Sequence, residues 1–263
     1  MNAVRNIHIV PFELAMMRTV HYWLNYMSRV SRIDLLAEDA IKFPLLEYIE
    51  RNVSINKGQT EQNYDEFLTK GFFNTDKFID ISFKDEKTEY FIELKYVKND
   101  TKAKNQLYFN DLVRLSLALR VNNSSKNRRC FLVVCGKATE FKEKFHGRKT
   151  QGDMSGGDFV NNKRGRKPTN PFAKWLRFDF KTDNGYKEIV YDPNATKGPF
   201  KNFIKEYFEA DKKANDSKKK KKIDREENVT YLGSFYTKLR HISEENDDEQ
   251  STGLWEVVLT KES

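Results

Sequence analysis

The chain has 263 residues, of which 33% are charged, 38% hydrophobic and 13% aromatic, and it carries a formal net charge of +8. That length supports one large domain or one core with appendages, and the aromatic content excludes a wholly disordered chain. No membrane-length apolar run occurs, and the start MNAVRNIHIVPFELAMM lacks the charged opening and small-residue cleavage site of a signal peptide, so a soluble, cytoplasmic protein is expected.

After the apolar NIHIV, the residues Leu14, Met17, His21, Leu24 and Met27 or Ser28 recur at helical spacing and predict a helix over 13–30. A second helical segment runs from 31 to 52, and Pro44 either divides it or starts a fresh piece. NVSINKGQT (52–60) reads as a loop, and 64–70 as a short helix or turn. From Gly71 the period changes to two. In KFIDISF (77–83), Ile79, Ile81 and Phe83 share one face; in EYFIELKYV (89–97), Tyr90, Ile92, Leu94 and Tyr96 share one and Phe91, Glu93, Lys95 and Val97 the other. The short polar link between them predicts an antiparallel hairpin.

Lys104 to Arg120 reads as a helix, and RCFLVV (129–134) as a strand buried on both faces. Cys130 and Cys135 end the apolar run CFLVVC (130–135), where a strand points them to opposite faces and they cannot bridge, which makes them core thiols. Residues 150–170 read as a long loop, 173–181 and 187–191 as strands, 200–213 as a helix, and 230–242 and 254–260 as strands around an acidic loop. Four parts follow: a helical extension (1–30), a core (31–145), a basic loop-rich segment (146–222) and C-terminal strands completing the domain (223–263).

The charge is uneven. Residues 1–141 carry about +3, 142–222 carry 22 Lys and Arg against 11 Asp and Glu, and 223–263 carry −6. A positive block of that size is the footprint of a phosphate-rich partner, or alternatively a solvated loop and lysine tail. No HExxH or CxxC zinc pattern and no glycine-rich phosphate loop occurs. Trp175, Phe178 and Trp255 read as core rather than as a base-stacking platform.

The chemistry is concentrated in Asp80 and Glu93-Leu94-Lys95. On a strand Glu93 and Lys95 share a face, and a hairpin partner sets Asp80 beside them, so two carboxylates and an ammonium converge. Carboxylate oxygens are the hard ligands Mg²⁺ prefers, while a lysine can orient or deprotonate a water and stabilise phosphate charge. Solvent-facing cross-strand ion pairs would give the same letters. They would not place Asp80 amid Phe78, Ile79 and Ile81.

Asp80-x12-Glu93-Leu94-Lys95, preceded by helices and followed by the helix with Gln106, Asp111 and Arg114 and then by RCFLVVCGK, resembles the PD-(D/E)xK nuclease superfamily with its restriction-endonuclease-like fold. The resemblance covers roughly residues 30–140, and Ile79 stands where the family name puts proline. It implies an α/β core of a helix, a three-stranded meander, a helix and a further strand, with N-terminal helical and C-terminal mixed extensions. The implied activity is Mg²⁺- or Mn²⁺-dependent hydrolysis of phosphodiester bonds, DNA before RNA, in a defence or restriction role. Asp80, Glu93 and the Leu94 carbonyl would hold metal and Lys95 would be the catalytic lysine. A further carboxylate comes from the first core helix, where Glu38 is favoured over Glu47, and Gln106 is the polar group aimed at the site from the next helix. Asp111 and Arg114, at i and i+3, read as a surface pair.

Lys163-Arg164-Gly165-Arg166-Lys167-Pro168 resembles the minor-groove AT-hook, with Lys167 intervening before the proline, and implies phosphate contact. Duplex scission suggests a homodimer. A non-catalytic nucleic-acid-binding module on the same fold, or an effector gated by a partner or ligand, remains the alternative.

Overall fold

A computed structural model describes residues 11–32, 36–52, 58–68, 71–74, 76–97, 102–121, 127–141, 175–180, 183–209, 228–243 and 249–261. The elements in chain order are α1 (Phe12–Arg29), α2 (Glu38–Asn52), β1 (Gln59–Asn63), β2 (Phe78–Lys84), β3 (Thr88–Val97), α3 (Lys102–Arg120), β4 (Asn127–Lys137), β5 (Tyr186–Ile189), α4 (Pro199–Tyr207), β6 (Phe235–Ile242) and β7 (Gln250–Val258). They build a mixed α/β structure on one seven-stranded sheet of order β1-β2-β3-β4-β7-β6-β5.

The β3–β4 pairing is parallel and the other pairings are antiparallel. A parallel joint requires a crossover, and α3 supplies it. The central strands bury both faces, and their side-chain alternation divides the core in two. Tyr90, Ile92, Leu94 and Tyr96 of β3, with Phe131, Val133 and Cys135 of β4, pack under α1 and α2. Phe91 and Val97, with Cys130, Leu132 and Val134, pack under α3 and α4. Both cysteines are free and buried, as their parity requires.

Each helix turns a stripe to its layer. α1 buries Met16, Met17, Val20, His21, Leu24, Asn25 and Ser28. α4 buries Phe200, Phe203 and Tyr207 at i, i+3 and i+7, and starts with Pro199 after Gly198. α2 is continuous through Pro44, so the proline neither divides nor starts it, and its ring is itself buried. Among the described residues no helix is long and apolar enough to cross a membrane.

Several sequence-based boundaries are corrected. The 52–60 loop gives way at Gln59 to β1, whose polar residues QTEQN carry no apolar alternation because the strand lies at the sheet edge. The second helix starts at Glu38, not at 31. Ile79 does not share a core with Ile81 and Phe83: it packs with Tyr64 and Phe91, whereas they pack under α1 and α2. Residues 175–180 form no strand, since β5 takes the edge beside β6; backbone carbonyls of this segment accept instead from Thr237 and Trp255 side chains. The fourth helix ends at Tyr207, where the Phe208 N–H closes on the Ile204 carbonyl, and its predicted extension beyond 209 lies outside the described residues. The strand predicted from 230 starts at Phe235, and the one from 254 already at Gln250.

Candidate active site

The hairpin of β2 and β3 matches Ile81 to Ile92, Ser82 to Phe91, Phe83 to Tyr90 and Lys84 to Glu89. Continuing that register would set Asp80 opposite Glu93, but the ladder stops at Ile81. On the other side of β2, the β1 pairing passes over Asp80 and Glu61, and Glu61 is held at a positive φ of 54°. β2 is therefore irregular at Asp80, which explains why Ile79 and Ile81 belong to different cores. The second half of β3 is left with an open edge, and an unpaired backbone N–H inside a protein must find an acceptor. The Leu94 N–H donates to Asp80 Oδ2 at 2.8 Å, and the Tyr96 backbone bonds to the Glu38 carboxylate from the first turn of α2. Two carboxylates thus stand where a neighbouring strand would have supplied carbonyls.

On the α3 side of β3, Glu93 is only 1% exposed. Its Oε1 accepts from Arg114 Nη2 at 2.8 Å and from the Tyr64 hydroxyl at 2.9 Å. The same guanidinium donates to Asp111 Oδ1 at 2.5 Å and to the Tyr207 hydroxyl at 2.9 Å. Lys95 Nζ lies 2.9 Å from Asp111 Oδ2, donates to the Leu94 carbonyl at 2.9 Å, and is 3.9 Å from Glu38 Oε2. From α2, Lys42 Nζ stands 3.6 Å from Asp80 Oδ1 and also pairs with Glu61. The Glu38 side chain is 44% exposed, so the cluster opens to solvent beside α2 and closes beneath α3.

The electrostatics follow from this geometry. Burial pushes Glu93 well above the ordinary carboxylate range; Arg114 opposes that, and Asp111 and Asp80 add to it. Glu38 is raised by burial, against the pull of Lys95 and with the repulsion of Asp80 and Asp111. For Lys95, burial favours the neutral amine, but Asp111, Glu93, Glu38 and Asp80 together outweigh it and raise the group. Lys95 is an ammonium at neutral pH: it can donate a hydrogen bond and stabilise negative charge, but it holds no free lone pair for use as a base.

Asp80, Glu93, Lys95 and Glu38 are brought together, and Glu47 pairs with Arg51 on the outer face of α2. Gln106 is not at the cluster. Its amide donates to Asn110 and to the Pro199 carbonyl and accepts from Asn202, fastening α4 to α3. Asp111 and Arg114 are not a surface pair, being 3% and 9% exposed. The i,i+3 spacing gives the pairing but not which side of α3 is covered, and α3 is covered on both by the sheet and α4. The sequence reading also missed Tyr64, Lys42 and Tyr207, each of which lies outside the motif and reaches it through a turn, the irregular β2 or the α4 packing. Lys163, Arg164, Arg166 and Lys167, and the lysine run 218–222, lie outside the described residues.

Among the described residues no group of three or more His, Cys, Asp or Glu side chains is set to hold a metal ion. The donors that would serve are Asp80, Glu93 and the Leu94 carbonyl, two carboxylates and a backbone oxygen. This is a hard set suited to Mg²⁺ or Mn²⁺, which keep water in their remaining positions. The Leu94 carbonyl accepts from a cation of the protein itself, the Lys95 ammonium.

Comparison with protein-family models, with curated proteins and with solved structures gave no match to this chain.

Proposed function

We propose that this chain is a metal-dependent nuclease on a restriction-endonuclease-like core, hydrolysing phosphodiester bonds of DNA before those of RNA. The observation that carries the reading is the convergence of Asp80, Glu93, Lys95 and Glu38 where β2 parts from β3. The order α2, β1-β2-β3, α3, β4, with the three strands as an antiparallel meander, is also the order that the resemblance implies.

Asp80, Glu93 and the Leu94 carbonyl would hold Mg²⁺ or Mn²⁺, which when bound would polarise a phosphoryl oxygen and acidify a water. The protein's own residues do the remaining work. Lys95, held as an ammonium by Asp111, donates toward a phosphate oxygen or the attacking water. Arg114 and Tyr64 fix the Glu93 carboxylate, and Glu38 on the open side accepts a proton from water. Plasmid, linear duplex, single strands and RNA should be incubated with Mg²⁺ or Mn²⁺, and cleavage by the wild type is expected. Asp80→Asn and Lys95→Ala should each lower it by about a hundredfold or more with unchanged circular dichroism. Cleavage by Asp80→Asn at the wild-type rate would sink the assignment.

One observation favours a second reading, a non-catalytic nucleic-acid-binding module on the same core. Glu93 Oε1 is shared by Arg114 and Tyr64, and Lys95 by Asp111, so the polar network closes on itself. That reading expects an electrophoretic shift with no cleavage under any divalent ion.

A further inference from the structure

The outward side of α1 carries a pattern that neither the core nor the acidic cluster uses. Arg18, Tyr22, Tyr26 and Arg29 follow one another at intervals of four, four and three, which sets them in one stripe along the helix. All four are exposed, Tyr22 at 72% and Tyr26 at 58%. Met17, Val20 and Leu24 on the opposite side supply the packing, so folding gives no reason for two large rings in water. Glu13, the acid of this helix, lies in the first turn and is engaged with Arg129. From the stripe, aromatic contacts run on to α2. The Trp23 ring lies 6.2 Å from that of Tyr26 and 5.4 Å from that of Phe43. Phe43 is 58% exposed and follows Lys42, the residue that faces Asp80.

We propose that this stripe binds single-stranded nucleic acid: Tyr22 and Tyr26 stack on unpaired bases, Arg18 and Arg29 face the phosphates, and Trp23 and Phe43 lead the strand toward Asp80. The charge is complementary to a polyanion. It is not complementary to itself, because two copies meeting through this stripe would bring arginines against arginines. Rings standing on a convex helix reach the open faces of unpaired bases and not those inside a duplex, and stacking of this kind tolerates any sequence. The proposal takes the nuclease reading only for the strand's role as substrate; binding itself is measured without cleavage.

The test is fluorescence anisotropy of a labelled mixed-sequence single strand, and of its duplex, with the full chain in EDTA. Tyr22→Ala with Tyr26→Ala should weaken single-strand binding about tenfold or more. The double Phe variant should bind as the wild type, and the double Leu variant, apolar but without a π face, as weakly as the Ala one. Arg18→Gln should lower the single-strand salt slope by about 0.7. Wild-type affinity in the double Leu variant would overturn the proposal, as would a loss of dimer in that variant with strand affinity unchanged, which would make the stripe a contact between copies. If the binding results hold while the wild type cleaves nothing with Mg²⁺ or Mn²⁺, the nuclease reading falls and the stripe stands. If cleavage occurs and the variants bind normally, the stripe falls and the nuclease stands.

Discussion

Arg114 is the residue on which the buried half of the cluster depends. It is the shared donor to Glu93 and Asp111, and it reaches Tyr207 with its other nitrogen. Removing one partner from a buried ionic group leaves uncompensated charge, which costs more than the group's net contribution. Arg114→Met is therefore expected to destabilise the fold by about 3–5 kcal/mol, read as a lower urea midpoint at unchanged m; a loss below about 1 kcal/mol would show that Glu93 and Asp111 share a proton or reach water instead. His241 on β6 offers a second test at this scale. Burial first, then His21 and Arg18 on α1, lowers its pKa to about 4. Between its unfolded value near 6.5 and that value the unfolded chain holds the extra proton, so stability contributed by the neutral ring is fully present above 6.5 and is lost as pH falls toward 4. Thermal midpoints measured across this window should fall more steeply for the wild type than for His241→Gln, and parallel curves would remove the residue from the account.

At the scale of elements, the parallel joint between β3 and β4 sets the position of Lys95, and Gly136 leaves no room in it for a side chain. A Cβ there would lie 2.7 Å from the Val97 Cβ and 3.1 Å from the Val97 carbonyl, in a pairing that matches these two residues directly. Backbone cannot yield as a side-chain tip can. Gly136→Ala should cost about 1–3 kcal/mol and push the end of β3 that carries Lys95; calorimetry with a parallel cleavage or binding assay checks both, and an unchanged melting curve would show that the strands are free to separate there. The hairpin, α3 and the buried β4 were legible in the sequence because each obeys one period over many residues. β1 was not, since an edge strand need not alternate, and 173–181 misled because the Trp175 and Arg177 backbone carbonyls accept from Thr237 and Trp255 side chains and not from a neighbouring strand. The motif residues were legible for the same reason as their strands. Arg114 and Asp111 were not, because their meaning depends on α4, an element nearly a hundred residues further along the chain.

The whole molecule gathers four carboxylates, Glu38, Asp80, Glu93 and Asp111, where the sheet opens between β2 and β3. Burial first raises Glu38 and Glu93, and repulsion from Asp80 and Asp111 adds to both. A divalent cation among Asp80, Glu93 and the Leu94 carbonyl would relieve that repulsion in the folded state alone, since the unfolded chain does not assemble the donors. Binding to the native state alone stabilises by mass action, about 2.7 kcal/mol when the ion is at a hundred times its dissociation constant. For a chain of this size that corresponds to a rise in melting temperature on the order of 5–10 °C. Mg²⁺ or Mn²⁺ should therefore raise the melting temperature of the wild type above that in NaCl of equal ionic strength, and Asp80→Asn should abolish the difference. An equal rise in both proteins would place the ion elsewhere. The measurement separates holding a cation from cleaving with it, so it tests the donor set even if the ion pairs of Arg114 and Lys95 leave the chain without hydrolytic activity.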